Sequence, residues 1–123
     1  MKLSKKVGLI SLSLVLSFAT SAFAQHQQYI LPKSSFSNYI WVNGGKYFTN
    51  ISAACVEVQN DAALYIQYWD KNDNFVSSPL LTGSGWQCDP SDAGSSGTYK
   101  IRLVNANRTS SVKLIGGEII YEK

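Results

Sequence analysis

The sequence predicts a small all-β domain, an antiparallel β-sandwich of the jelly-roll or immunoglobulin-like type with about eight short strands and one disulfide. Apolar residues recur at every second position far more often than at helical spacing. Clusters of Asn, Asp, Gly and Ser separate these alternating runs, as turn residues do. Short strands at this spacing, within about a hundred residues, are typical of two packed antiparallel sheets.

The predicted strands follow from these two signals in chain order. They are residues 28–31, 38–42, 46–48, 52–59, 63–69, 75–81, 97–105 and 111–121. The turns between them are predicted at residues 43–45, 60–61, 71–74, 83–85 and 105–109. Pro79 lacks a backbone donor and therefore predicts an edge position for its strand. Gly116 and Gly117 predict a bulge or bend in the last strand.

Residues 1–24 have the three parts of a secretory signal peptide. Lys2, Lys5 and Lys6 form a basic start, an apolar centre follows, and Ala22-Phe23-Ala24 provides a small-residue cleavage site. The apolar centre is short and interrupted by serines, so it is a poor membrane span. We expect cleavage after residue 24, no stable membrane insertion, and a secreted or periplasmic single domain at residues 25–123.

The exported domain has no net charge. Three of the eleven Lys and Arg residues lie in the signal peptide, which leaves eight cations against eight Asp and Glu residues. Because binding to phosphate backbones requires a basic surface, this balance argues against nucleic acid as a partner. Anionic membrane surfaces are disfavoured for the same reason.

Cys55 and Cys88 are the only two cysteines, and they predict one disulfide. An even number of cysteines in an exported chain most simply forms internal bonds. Two cysteines without nearby histidines do not complete a zinc site. The sequence gives no reason to expect a cofactor.

Catalysis is not favoured by the residues present. The chain has one histidine, His26, close to the predicted new amino terminus, so a histidine-activated nucleophile is not expected. Paired carboxylates would suffice for glycoside hydrolysis, and this alternative stays open. The carboxylates available for it are Glu57, Asp61, Asp70, Asp73, Asp89, Asp92, Glu118 and Glu122. A small sandwich has little room for a deep cleft, so we expect no enzymatic activity.

Asp70, Asn72 and Asn74 match the first half of a calcium-binding loop, with oxygen ligands on alternate residues. The second half does not match, because Phe75 and Leu81 stand where such a loop needs glycine and a bidentate acid. A hairpin turn explains the same residues, since Asn and Asp tolerate left-handed backbone angles.

The stretch LYIQYW, residues 64–69, predicts a candidate binding surface. Leu64, Ile66 and Tyr68 occupy one face of the strand and are expected in the core. The opposite face then carries three candidate ligand-binding residues, joined by a fourth near the disulfide: Tyr65, Gln67, Trp69 and Trp86. The aromatic residues Tyr39, Trp41 and Phe48 are expected to fill the core.

These observations lead to an expected function of binding without catalysis. Aromatic rings offer flat, weakly apolar surfaces that suit the C–H faces of sugars. We therefore expect an exported binding protein whose ligand is a glycan or another cell-surface component. The alternatives are a secreted protein-binding factor, such as an inhibitor or antimicrobial factor, and the carboxylate-dependent glycoside hydrolase named above.

Overall fold

The computed structural model describes residues 26–122, which fold almost entirely into β-strands. The strands are β1 (His26–Leu31), β2 (Ser34–Phe36), β3 (Tyr39–Trp41), β4 (Phe48–Trp69), β5 (Phe75–Ser77), β6 (Leu81–Cys88), β7 (Thr98–Asn105) and β8 (Val112–Glu122). A short 3-10 turn, Val42–Gly45, follows β3. The predicted all-β class with eight strands is confirmed. The predicted signal peptide and its cleavage site lie outside the described residues.

The eight strands belong to one sheet. Its path is β1-β8-β4-β7-β3, with β2 added to β8 and both β5 and β6 added to β4. The predicted sandwich is not confirmed, because the sheet curls into a half-barrel instead of dividing into two. The physical reason is the length of β4. This strand of 22 residues pairs with β8, β7, β6 and β5 and so keeps them in one sheet.

Strand β4 has neighbours on both edges along most of its length. On one edge, its first half pairs with β8, where Val56 lies opposite Gly117. Its second half pairs with β7, from Leu64 opposite Asn105 to Trp69 opposite Lys100, so these segments run antiparallel. The other edge carries β6 and then β5.

The predicted turn at residues 60–61 is wrong, because β4 continues through it. Asn60 takes part in the sheet through its side chain: Nδ2 donates to the Ser111 carbonyl oxygen at 2.9 Å. The Lys113 amide in turn donates to Asn60 Oδ1 at 3.0 Å. A register shift against β6 between Val58 and Ala62 accommodates the extra residues as an irregularity within the strand.

The core lies on the inner side of the curl. Leu64, Ile66 and Tyr68 are buried there, as the alternation in β4 predicts. Ile101 and Leu103 of β7 are buried against them. Phe48 is also buried, as expected.

The predicted disulfide between Cys55 and Cys88 is confirmed. The two cysteines lie directly opposite each other on the neighbouring strands β4 and β6. Strand β6 spans the predicted turn at residues 83–85, which contains Gly83 and Gly85, so that turn prediction is wrong. Both glycines have positive φ, of 101° and 86°, and the strand accommodates them. The predicted edge position is confirmed for β5, which pairs only with β4 among the described strands. Pro79 itself lies between β5 and β6.

Gly117 allows three strands to approach closely, and this leads to a stability prediction. A Cβ at this position would lie 2.6 Å from the Cys55 carbonyl oxygen and 3.2 Å from the Val56 Cα. We expect Gly117→Ala to lower the free energy of unfolding by about 1–3 kcal/mol, the usual cost of overpacking. Denaturant unfolding measures this cost.

Gly116→Ala is the matched control for that substitution. Its added Cβ would lie 3.2 Å from the Leu31 carbonyl oxygen, a contact that needs only a small shift. Gly116 also adjoins the predicted bulge, since Glu57 pairs with Gly116 while Val58 already pairs with Leu114. An equal loss of stability in both variants would contradict the close-approach explanation.

Candidate functional site

The outward side of β3, β5, β7 and the second half of β4 forms one continuous surface, which we call the aromatic face. Its residues are Tyr39, Trp41, Tyr65, Gln67, Trp69, Phe75, Lys100 and Arg102. The strand register brings them together. Arg102 lies opposite both Trp41 and Gln67, while Lys100 lies opposite Trp69.

Period-two alternation decides which side chains reach this face. Leu64, Ile66 and Tyr68 turn into the core, so Tyr65, Gln67 and Trp69 lie on the other side and are half-buried. The three neighbouring candidates predicted from the sequence are therefore on one surface, and two of them contact each other directly.

Trp69 is held by contacts on several sides. Its ring stacks on Phe75 with centroids 4.6 Å apart and an interplanar angle of 19°. It meets Trp41 edge to face at 5.9 Å. Its indole Nε1 donates a hydrogen bond to Gln67 Oε1 at 3.0 Å. These contacts fix the orientation of the ring while leaving part of it accessible.

Arg102 lies at the centre of the aromatic face. Its guanidinium carbon is 4.5 Å from the ring centroids of both Tyr39 and Trp69, and 5.4 Å from that of Trp41. Its Nε donates to Gln67 Oε1 at 3.2 Å. Such cation–π contacts contribute about 0.5–2 kcal/mol each, depending on exposure. A second cation, Lys100 Nζ, lies 4.6 Å from the Trp41 ring centroid.

Tyr39 and Trp41, predicted from the sequence to fill the core, lie outside it. Tyr39 is 42% exposed and Trp41 is half-buried on the aromatic face. Both sides of this segment are apolar, and Val42, which is fully buried, takes the inner side instead. The sequence alone does not identify Arg102 as a site residue, although the alternation in β7 places it on the outward side.

Trp86 does not join the aromatic face. It lies on β6 opposite Glu57, in the first half of β4, whereas Trp69 ends that strand. Its side chain is 55% exposed. The structure therefore brings together Tyr65, Gln67 and Trp69, with Trp86 on a separate part of the surface.

The segment with Asp70, Asn72 and Asn74 forms the turn between β4 and β5. Asp70 Oδ1 accepts hydrogen bonds from the backbone amides of Asn72 and Asn74, at 2.9 and 3.0 Å. Asp73 has a φ of 63°, in the left-handed region. These features match a hairpin turn stabilised by an Asp side chain. Within residues 26–122, no cluster of three or more His, Cys, Asp or Glu side chains is placed to hold a metal ion.

Tyr68 lies on the inner face of β4 and bonds to a neighbouring loop. Its hydroxyl donates to Asp89 Oδ2 at 2.6 Å, which ties the loop after β6 to β4. Burial raises the pKa of the Tyr68 phenol above its ordinary value, and the hydrogen bond and negative charge of Asp89 raise it further. The phenol therefore stays neutral under ordinary conditions and acts as a structural donor.

Two hollows lie away from the centre of the aromatic face. One, of about 100 Å³, lies at the turn between β4 and β5, mainly on the inner side of the sheet, and is lined by Tyr68, Asp70, Asn74, Phe75, Val76 and Tyr99. The other, of about 330 Å³, is lined by Lys33, Ser34, Ser35, Gln59 and Lys113. The first is smaller than the pockets that usually enclose small molecules.

Comparisons with known proteins give no family for this chain. No protein-family model matches it, and a search of curated proteins found no match. Among the described residues, no helix has the length and apolar character needed to cross a membrane.

Proposed function

We propose that this protein is exported and acts without catalysis, by binding a glycan or glycan-containing cell-surface component through the aromatic face. The single observation that carries the proposal is the pair of half-buried indoles, Trp41 and Trp69, fixed edge to face around a central Arg102.

The chemistry of the face suits sugars. Aromatic rings bury the C–H faces of sugar rings, while amide and cationic groups between them bind hydroxyl groups. Gln67 occupies such a position, since its Oε1 accepts hydrogen bonds from both Trp69 and Arg102. Its amide nitrogen is a further donor beside the rings. Because these side chains already hold one another, little conformational entropy is lost when a ligand binds.

Export is supported by two independent features. The first is the signal-like composition of residues 1–24. The second is the Cys55–Cys88 bond, since disulfides persist mainly in oxidising compartments outside the cytosol.

The proposal is tested by binding of the exported protein to isolated cell walls and to insoluble polysaccharides. We expect Trp69→Ala to reduce the bound fraction at least tenfold, because it removes the central ring of the face. Trp86→Ala is the matched control, since it removes an equally large ring elsewhere on the surface, and binding should survive it.

Three results would contradict the proposal. Loss of binding in Trp86→Ala alone would place the ligand elsewhere. A tight complex with a soluble protein and no glycan binding would favour the protein-binding alternative. Turnover of a glycan that stops when one Asp or Glu is replaced would make the protein a hydrolase.

A further inference from the structure

We infer that the glycan bound by the aromatic face is acidic, with carboxylate groups that pair with Arg102 and Lys100. This inference rests on the proposed function and names its ligand class. It comes from three observations: the charge of the face, the way in which Arg102 is held, and the spacing of the two cations.

The charge of the aromatic face differs from that of the rest of the domain. Around Gln67 and Trp69, the outward positions of its strands carry Lys100 and Arg102 and no Asp or Glu. The acidic residues of β4 lie farther along the strand: Asp61 is exposed four residues before Tyr65, and Glu57 lies in the first half. Asp70 follows Trp69 directly, but its Oδ1 accepts two backbone amides of the turn. A domain without net charge thus presents a locally cationic surface, which complements an anionic ligand.

Arg102 is held by contacts that leave its two Nη groups available to a ligand. Two aromatic rings at 4.5 Å contact the guanidinium group, and Nε is used by Gln67. Among the hydrogen bonds of residues 26–122, neither Arg102 Nη atom donates to a protein acceptor. The paired Nη donors match a carboxylate, and charge-assisted bonds of this kind are about twice as strong as neutral ones.

The spacing of the cations suits a polymer with repeated charges. Lys100 and Arg102 are two residues apart on β7 and therefore roughly 7 Å apart along the strand. Each is flanked by an indole ring, since Lys100 contacts Trp41 and Arg102 contacts Trp69. A chain of acidic sugars lying along this face would therefore meet a cation and a ring at both places.

The test compares polygalacturonate with the same polymer fully methyl-esterified, which keeps the sugar rings and removes the charge. We expect the exported protein to bind polygalacturonate at least tenfold more tightly than the ester. Raising NaCl from about 50 to about 500 mM should weaken binding to polygalacturonate several-fold and leave the ester unaffected.

Variants test whether the preference for the charged polymer depends on the aromatic face. We expect Arg102→Gln to abolish the preference for the charged polymer, and Arg102→Lys, which keeps the charge but loses the fork, to reduce it partially. Lys113→Gln is the control of equal charge, since Lys113 lies on β8 and lines the separate hollow with Lys33. Thermal unfolding of each variant checks that the fold is retained.

The outcomes separate this inference from the proposed function. Equal binding to both polymers, or loss of the preference in Lys113→Gln alone, overturns the acidic ligand while glycan binding stands. Cell-wall binding that depends on Trp69 but not on Arg102 also overturns the acidic ligand and leaves glycan binding in place. If no glycan or cell wall is bound at all, both proposals fail.

Discussion

Removal of the Cys55–Cys88 disulfide should lower the free energy of unfolding by about 3–4 kcal/mol. The two cysteines are 33 residues apart in the sequence, and opening a loop of that length increases the entropy of the unfolded chain. Domains of this size are stable by only about 5–15 kcal/mol. A large part of the stability of this protein should therefore depend on one covalent bond.

Denaturant unfolding of the protein, reduced and oxidised, measures that contribution. The Cys55→Ala, Cys88→Ala double variant is the matched control, because it also lacks the cross-link but does not respond to reductant. Thiol titration of the unfolded, unreduced protein should find no free thiol. Equal stability of the reduced and oxidised forms would contradict the prediction.

Ile66→Ala should cost about 2–5 kcal/mol, because Ile66 is fully buried and truncation leaves a cavity in the core. Trp69→Ala should cost less, about 1–2 kcal/mol. Trp69 is half-buried, and its loss removes ring contacts with Phe75 and Trp41 without emptying the core. A fully buried tryptophan would cost about 3–5 kcal/mol instead.

Thermal and denaturant unfolding of the two variants, measured side by side, distinguish these cases. The two residues lie on opposite faces of the same strand, so each is the control for the other. Large and equal losses would mean that both faces of β4 are core, and the aromatic face would then have no accessible ring with which to bind.

Much of the fold could be predicted from local patterns, because alternation reports directly which side chains of a strand share a face. The faces of residues 64–69 are predicted correctly for this reason. The number of strands agrees only by compensation, because the predicted strands at 46–48, 52–59 and 63–69 fall largely within β4, whereas β2 and β6 are not predicted. Alternation says nothing about which strands pair, so the curled single sheet could not be distinguished from a sandwich.

The turns predicted at residues 60–61 and 83–85 are wrong, because contacts within the sheet override the local preference of Asn and Gly for turns. Asn60 resembles a turn residue, but its amide bonds to the backbone of Ser111 and Lys113 and so extends β4. Gly83 and Gly85 adopt positive φ within β6. In both cases the partner strand is distant in sequence, and local propensity gives no information about it.

The candidate site was predicted in part for a similar reason. Gln67 and Trp69 follow from one strand, whereas Tyr39 and Arg102 join them only through pairing across β3, β7 and β4. The segment with Tyr39 and Trp41 is apolar on both sides, so the sequence did not reveal which side is buried. Trp86 does not lie with them because it pairs with Glu57, in the first half of β4.

The order of strands in the sheet has a consequence for when the chain can fold. Strand β8, near the end of the sequence, pairs with β1, β2 and β4 and so connects the earliest elements to the longest one. During synthesis, the earlier strands emerge with one edge unfilled until β8 follows. Contacts between residues so distant in sequence form slowly. Because β1 and β2 pair only with β8 among the described strands, the sheet cannot be completed before β8 is available.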